Sequence, residues 1–543
     1  MKTKRSFLQN VIRFFERGWF APFLLAVQPI LQLFWINLTE LDFSEIVRSL
    51  VVSLLFVSFL LAGLHLLLRS WIKASLVASL FIFLFFVFGD VADWLVKMIG
   101  LGPVRANFFI LAMIAMIMIL WLLVLRSGIQ HTRTLNLYFN LLSVLLLVNS
   151  LIQVRHYWTM NGVSLTPSQP PPPVAVVHTT APRPDIYYII LDAYGRNDIL
   201  QLIYDFDDSS FVEALRARGF YVAQEASSNY IQTMLSLSSS LNMDYIQSLK
   251  ADGVKIENRT DLISLIQNSQ VCKTLGQNGY KTVSFRNEYK ATLPNADVYY
   301  DDSEKGILYP VTAFESILID HTMARVLTVI PAFQKALIEM PYDTHRHYIL
   351  STFEKLQETP ALDGDYFIYA HIIAPHPPFV FDQHGVPLPH GRPFKLADAN
   401  QFIKDYSRKA YLTGYRNQMQ YINSLVLKTV DTILAKSKTP PIIIIQGDHG
   451  PGAYLHWSSL ENTFPAERFS ILNAYYFPDR DYSLLYPSIS PVNSFRVVMD
   501  KYFGGTYAML PDRHFYSQWS FPFSFREVTD LSLQTLKSEL EKK

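Results

Sequence analysis

The chain has 543 residues, of which 50% are hydrophobic and 17% are charged, and its formal net charge is +1. A net charge this close to zero does not suggest binding to nucleic acid, and we expect no nucleic-acid partner. A single cysteine, Cys272, excludes an intrachain disulfide.

The first part of the chain is the most hydrophobic. A bilayer core of about 30 Å is crossed by about 20 helical residues. Apolar stretches of this kind recur before residue 155. We predict about five transmembrane helices, at residues 19–37, 47–68, 72–90, 105–125 and 135–154.

The charges of the loops predict the orientation of these spans. Arg69 and Lys73 lie between the second and third spans, and Arg126 and Arg133 lie between the fourth and fifth. By the positive-inside rule we expect the N-terminus in the cytoplasm and the rest of the chain outside it. If the third stretch did not cross the membrane, the large C-terminal part would be cytoplasmic.

A proline-rich segment separates two parts of different composition. Residues 156–184 contain four consecutive prolines, 170–173, which favour extended polyproline II structure. We therefore predict a membrane domain at 1–155, a linker at 156–184 and a globular domain at 185–543. In the globular domain, strand-like and helix-like segments alternate, which is typical of a layered α/β fold.

Two strongly apolar strands of the globular domain are each followed by a carboxylate. The run that starts at Asp185 ends in Asp192, and the four isoleucines 442–445 lead to Gly447, Asp448 and His449. Ligands of open α/β sheets bind outside the carboxyl ends of the strands. Two carboxylates and an imidazole suit zinc, manganese or magnesium. We predict a shared divalent metal site; an ordinary exposed loop is the alternative for the Asp-His pair.

A hydroxyl-rich segment follows the first of these strands and leads into a predicted helix. Thr233 stands at the start of that helix, where the positive end of the helix dipole suits a phosphate-binding nucleophile. An ordinary N-cap is the alternative for this residue. Ser228 and Ser236 stay open as nucleophiles in its place.

Three histidines and one arginine are further candidates. His371 ends a predicted strand and is either a ligand or a core residue. His376 lies between prolines in the loop that follows, and we expect it to be functional. His456 and Arg196 each follow one of the carboxylates; they are candidates for substrate contact or, alternatively, a packed and a solvated side chain.

Taken in chain order, these motifs resemble one enzyme family. Leu-Asp192, Gln-Thr233, Pro-His376-Pro-Pro and Gly-Asp448-His449-Gly resemble the sulfatase-like branch of the alkaline phosphatase superfamily. The membrane arrangement resembles lipoteichoic acid synthases and phosphoethanolamine transferases, which have five spans and one extracytoplasmic catalytic domain. The resemblance implies an alkaline phosphatase-like fold, with helices on both faces of a central mixed sheet, in a bacterial plasma membrane.

The resemblance also implies roles for individual residues. Asp192, Asp448 and His449 would bind a divalent metal ion, and Thr233 would be both nucleophile and fourth ligand. His376 would contact the phosphoryl group or the leaving group. Asp192 stands where the lipoteichoic acid branch often has glutamate.

Some members of the family hold a second metal ion, and this chain has no complete second ligand set in its motifs. His371 and His456 are the candidates for such a site.

The implied reaction is phosphoryl or phosphodiester transfer through the threonine, because metal coordination makes a hydroxyl nucleophilic. We expect a phosphotransferase or phosphodiesterase that acts on phospholipid head groups or cell-envelope glycans, with a membrane lipid as donor and a glycan or lipid as acceptor. One alternative is a true sulfatase, although the Cys/Ser-x-Pro-x-Arg motif is absent near Thr233. The other is a metal-binding membrane module without turnover.

Overall fold

The computed structural model describes residues 2–36, 44–126, 131–160, 183–302 and 311–528, with the single residues 538 and 541. Two compact units make up the chain. The first comprises residues 1–159, 304–342 and 390–395, and the second comprises 160–303, 343–389 and 396–543. Most of the predicted linker, 156–184, lies outside the described residues.

The helices are, in chain order, α1 Lys2–Arg17, α2 Ala21–Ile36, α3 Ser44–Leu68, α4 Trp71–Ile99, α5 Pro103–Arg126, α6 Thr132–Met160, α7 Asn197–Tyr204, α8 Ser209–Ala217, α9 Thr233–Asn242, α10 Ile246–Ala251, α11 Arg259–Gln267, α12 Gln270–Gln277, α13 Ala313–His321, α14 Pro331–Gln334, α15 Met340–Leu356, α16 Ala399–Asp405, α17 Arg408–Lys436, α18 Pro465–Phe469 and α19 Pro491–Tyr502. The strands are β1 Ile186–Leu191, β2 Tyr221–Val222, β3 Lys281–Phe285, β4 Val298–Tyr300, β5 Tyr366–Ile372, β6 Ile442–Gly447, β7 Asn473–Tyr476, β8 Phe515–Gln518 and β9 Phe521–Glu527.

The first unit carries the membrane helices. Within the described residues, the 4 helices α3 to α6 are long and apolar enough to cross a membrane. Helices α1 and α2 are bent against each other by 83°, and this pair adds a fifth span if it is counted as one. The predicted multi-span membrane domain is therefore confirmed, and its first predicted span falls on α2.

Two asparagines of α6 hold the bend between α1 and α2. Asn140 accepts a hydrogen bond from the Ala21 N–H at 2.9 Å and donates to the carbonyls of Phe15 and Gly18 at 2.7 and 2.9 Å. Asn136 also donates to Gly18, at 2.6 Å. Lipid offers no hydrogen-bond partners, so backbone groups that a bend frees need partners within the protein.

The second unit is built on a mixed sheet of seven strands in the order β2-β7-β6-β1-β5-β3-β4. Strands β6, β1, β5, β3 and β4 are parallel, and β7 is antiparallel to both β6 and β2. The predicted α/β class is confirmed. Every residue of β1, β5 and β6 is buried, as continuous apolar runs in parallel strands require.

Both faces of this sheet are covered. On one face, Tyr188 and Ile190 pack in a common core with Leu237 of α9, Leu275 of α12 and Phe495 of α19. The alternate residues of β1 point to the opposite face and are buried as well. Strand β1, the central strand of the sheet, is therefore enclosed on both faces.

Candidate active site

The carboxyl ends of three adjacent parallel strands bring the candidate ligands together. In the register of the sheet, Leu191 of β1 pairs with Gly447 of β6, and Ile190 pairs with His371 of β5. Asp192 and Asp448 are the next residues of their strands. Chain segments far apart in sequence therefore deliver two carboxylates and an imidazole to one edge of the sheet.

Asp192, His371 and Asp448 form a compact buried group. One ligand atom of each lies within 4.8 Å of the other two, and His371 Nε2 is 3.3 Å from Asp192 Oδ2. Among the described residues, Asp192 Oδ1, Asp448 Oδ2 and His371 Nε2 have no hydrogen-bond partner. Buried polar atoms rarely lack a partner, and these two oxygens and one nitrogen are donors that suit a divalent cation.

His449 presents a second nitrogen to the same group. Its Nδ1 donates to the Gly450 carbonyl at 2.9 Å, which leaves the Nε2 lone pair to face the carboxylates. Nε2 is 3.3 Å from Asp448 Oδ2 and 3.7 Å from Asp192 Oδ1. Burial, and after it the neighbouring Arg468 guanidinium, lowers the pKa of His449. A neutral imidazole in this tautomer is the form that ligates metal ions.

Thr233 is the hydroxyl that reaches this group. It is the first residue of α9, after Gln232 in the N-cap position, and its Oγ1 lies 3.1 Å from His449 Nε2. The two open alternatives bond elsewhere: Ser236 donates to the Asp448 carbonyl at 2.6 Å, and Ser228 donates to the Tyr230 carbonyl at 3.0 Å. Of the three hydroxyls, that of Thr233 is the one that faces the imidazole of His449.

His376 is held beside Asp192 by backbone contacts. The His376 N–H donates to the Asp192 carbonyl at 3.1 Å, and the Gln418 side chain donates to the His376 carbonyl at 3.3 Å. Burial by itself would raise the pKa of Asp192, but His376, His371 and His449 together hold that pKa below its ordinary value. Asp192 is therefore a carboxylate that faces several imidazoles.

The contacts of the other two candidates run elsewhere. Arg196 is buried, pairs with Asp198 at 2.7 Å and donates to the Ala226 carbonyl at 2.8 Å, so the alternative of a solvated arginine is wrong. His456 is exposed. In the part of the chain that the structure describes, His456 forms hydrogen bonds through its backbone, to Thr463 and Tyr516.

Arg468 and Asp398 also lie at the site, although they were not predicted from the sequence. Arg468 is almost fully buried; its Nη2 lies 3.0 Å from His449 Nε2 and 2.6 Å from Asp398 Oδ2. Its Nε donates to the Ile231 carbonyl, two residues before Thr233, at 3.0 Å. Burial would raise the pKa of Asp398, but the charge of Arg468 holds it below its ordinary value.

No motif marks this pair in the sequence. Asp398 caps α16 and Arg468 lies in α18, 70 residues later. An arginine in a short polar helix is usually exposed, so only the packing reveals its burial.

The family model described as Sulfatase matches residues 183–487. No curated protein sequence matches the chain.

Three solved structures illustrate the structural similarity. The C-terminal periplasmic domain of EcEptC from Escherichia coli shares 12% identity at a TM-score of 0.41 and covers 65% of this chain and 95% of its own. The integral membrane lipooligosaccharide phosphoethanolamine transferase A from Neisseria meningitidis shares 11% at 0.39, with 88% and 94% covered. The phosphonate monoester hydrolase of Agrobacterium radiobacter shares 13% at 0.40, with 66% and 83% covered. Similarities this low assign no function, so the assignment depends on the family match.

Proposed function

The chain belongs to the sulfatase family, and from this premise we propose that it is a metal-dependent membrane phosphotransferase or phosphodiesterase with Thr233 as nucleophile. It is an integral membrane enzyme of the sulfatase-like hydrolase and transferase class. The observation that carries the proposal is the position of Thr233 Oγ1, 3.1 Å from His449 Nε2. That nitrogen faces the unpaired oxygens of Asp192 and Asp448.

We propose a single divalent ion, zinc, manganese or magnesium, held by Asp192, Asp448, His449 and Thr233. His371 Nε2 faces the same group and is a further ligand or a substrate contact. When bound, such an ion supplies positive charge that stabilises a threonine alkoxide and polarises a phosphoryl oxygen. The unpaired buried atoms of Asp192, Asp448 and His371 fit this role.

The remaining steps belong to side chains of the chain itself. Thr233 gives up its hydroxyl proton to solvent, and its Oγ1 forms a bond to phosphorus while the bond from phosphorus to the donor alcohol breaks. His376 supplies a proton to the departing alcohol. A second alcohol or water then attacks phosphorus and gives its proton to His376, while the bond from phosphorus to Thr233 Oγ1 breaks and Oγ1 takes up a proton from solvent. Arg468 lies beside His449 and offsets the negative charge that accumulates there.

Phosphorus chemistry is favoured over sulfate ester hydrolysis by the side chain in the nucleophile position. Oxidation of a cysteine or serine at Cβ gives an aldehyde, whereas oxidation of Thr233 would give a ketone because its Cβ carries a methyl group. A threonine therefore cannot provide the formyl group of a true sulfatase. The membrane helices of the same chain favour a membrane lipid as donor and a glycan or lipid as acceptor.

We also propose that the N-terminus is cytoplasmic and that the second unit is extracytoplasmic. Lys73 Nζ donates to the Leu125 carbonyl at 2.7 Å, so the basic start of α4 and the basic end of α5 lie at the same end of the helix bundle. The positive-inside rule expects such an end to be cytoplasmic. In a Cys272→Ser background, a membrane-impermeant maleimide should label Lys438→Cys in intact cells. Protection of that thiol until lysis would contradict the orientation.

Turnover of two model esters tests the proposed reaction. Full-length protein in detergent should hydrolyse bis-p-nitrophenyl phosphate and leave p-nitrophenyl sulfate intact. Activity should disappear with a chelator, return with a divalent metal and be absent from Thr233→Ala. Thr432→Ala, at a half-buried threonine of α17 whose hydroxyl donates to the Lys428 carbonyl, is the matched control and should retain activity. Hydrolysis of the sulfate ester alone would reverse the assignment.

A further inference from the structure

Residues 311–342, which we name the insert, lie in the sequence between two segments of the second unit. They nevertheless pack with the membrane helices of the first unit. Phe314 and Leu318 of α13 share a buried cluster with Ile30 and Phe34 of α2 and with Ile46 of α3. From the sequence, the insert was expected to belong to the globular domain, residues 185–543. Its contacts make it part of the membrane unit.

Specific polar contacts fix the insert on α3 and α4. The Arg48 guanidinium forms an ion pair with Glu315. Arg325 pairs with Asp93 at 3.1 Å and donates to the Gly89 carbonyl at 3.1 Å. A Cβ on Gly89 would lie 2.3 Å from a backbone oxygen of the insert, so only glycine permits this approach. The insert is therefore an integral part of the first unit.

The insert is apolar on the side that these contacts leave open. Leu327, Val329, Ile330 and Phe333 keep between 39% and 47% of their surface exposed. The inner side of the same segment packs Met323 and Val326 against α4 and α5. Contiguous exposed apolar side chains are unusual on a surface that faces water and mark an interaction surface.

The depth of this surface follows from the helix on which it is seated. Asp93, which binds Arg325, is six residues before the end of α4 at Ile99, or about 9 Å at 1.5 Å per residue. Those last turns still expose Trp94, Met98 and Ile99. Since α4 has the length and hydropathy of a membrane span, the insert lies at the level where that span ends.

Charged side chains of the same region match a phospholipid surface. Lys97 and Arg105 flank the turn between α4 and α5, Lys335 follows the apolar side chains of the insert, and all three are exposed. Apolar side chains flanked by cations are the pattern of elements that lie in a membrane interface, where the cations meet lipid phosphates.

We propose that the insert is an interfacial element whose Leu327, Val329, Ile330 and Phe333 enter the boundary between head groups and acyl chains of the bilayer. Lipid is the occupant because this surface continues the lipid-facing surface of the membrane helices. The first unit thus has a membrane-binding element in addition to its N-terminal helices. This inference is independent of the proposed reaction.

Fluorescence quenching by lipid tests the proposal. In a Cys272→Ser background, which removes the only cysteine of the chain, Ile330→Cys is labelled with bimane in the full-length protein. The protein is placed in phosphatidylcholine nanodiscs that contain lipid with a nitroxide near the carboxyl end of one acyl chain. Leu484→Cys is the matched control, because Leu484 is an apolar residue of the second unit with 43% exposure.

We expect the label at position 330 to lose several-fold more fluorescence to the nitroxide lipid than the label at 484, and less to aqueous iodide. A label at Val329→Cys should behave as at 330, which guards against a local folding defect at one position. Equal quenching at 330 and 484 would overturn the proposal. So would protection of 330 from both quenchers with crosslinking between copies, since a second protein copy would then cover the surface.

Discussion

At the scale of the residue, the site depends on a buried ion pair, Arg468 with Asp398, that no sequence motif indicates. Arg468 contacts His449, Asp398 and the backbone before Thr233. Its positive charge lies next to an imidazole whose pKa it helps to lower. Asp398 neutralises that charge, so the geometry of the proposed metal ligand and nucleophile depends on the ion pair.

Removal of one partner of this pair should be costly. Asp398→Asn leaves the Arg468 guanidinium buried without a counter-charge, and we expect the free energy of unfolding to fall by about 3 to 5 kcal/mol. Asp431→Asn breaks an Arg218 pair whose aspartate is 55% exposed and should cost less than about 1 kcal/mol. Thermal unfolding of both variants measures the difference. Equal losses would mean that the Arg468 pair has no special role.

A second buried carboxyl, Asp208, titrates far from its ordinary range. The Tyr194 hydroxyl lies 2.8 Å from Asp208 Oδ2 and 2.6 Å from Asn423 Oδ1, and Asn423 donates to Asp208 Oδ1 at 2.6 Å. The tyrosine has one proton for two acceptors, so this ring of hydrogen bonds is complete when Asp208 is protonated. Burial accordingly raises the pKa of Asp208 from 3.8 to about 7.

The stability of the chain should therefore depend on pH through Asp208. Between about pH 4 and pH 7 the folded chain holds a proton that the unfolded chain has released, so the free energy of unfolding falls as pH rises. Asp208→Asn keeps the ring neutral. Between pH 5 and pH 8 the difference in unfolding free energy between this variant and wild type should shift by about 3 kcal/mol in favour of the variant. Parallel profiles would contradict a protonated Asp208.

At the scale of the element, the bend between α1 and α2 depends on α6. The amide of Asn140 satisfies Ala21, Phe15 and Gly18 at once. Asn140→Ala should lower the free energy of unfolding by about 2 kcal/mol, because buried backbone groups lose their partner. Asn149, on the same helix, is exposed, so Asn149→Ala should leave the melting temperature unchanged. Similar melting curves for the two variants would show that the bend is held otherwise.

Elements with a strong local pattern could be predicted from the sequence. The isoleucine run of β6 and the apolar run of β1 have the expected type and nearly the expected bounds. The insert could not be predicted, because its short helices are individually polar enough for a globular domain. Its membership of the membrane unit depends on long-range contacts such as that of Arg48 with Glu315.

The candidate site divides in the same way. Asp192, Asp448 and Thr233 stand at the ends of elements, where sequence reasoning looks for chemistry. Their assembly with His449 at contact distance follows from the register of the sheet. Asp398 and Arg468 act through burial and through each other, and burial of a charged side chain has no local sequence signature. The roles of all these residues in catalysis stay predictions.

At the scale of the whole molecule, one chain combines a membrane unit with a sulfatase-family unit. The match of the second unit to the sulfatase family does not by itself select a substrate. Helices α3 to α6 bind the enzyme to the bilayer, and this favours a donor that is itself a membrane component. We propose that such a donor transfers its phosphoryl group through Thr233.

Intact-mass spectrometry of the full-length protein tests that claim most directly. The protein is loaded with divalent metal, incubated with a glycerophospholipid in detergent and quenched in acid, and its peptides are then mapped. We expect a phosphorus-containing adduct on the peptide that carries Thr233, absent from Thr233→Ala and present in Thr432→Ala. An adduct that persists in Thr233→Ala, or turnover of the lipid by that variant at the wild-type rate, would contradict a threonine nucleophile.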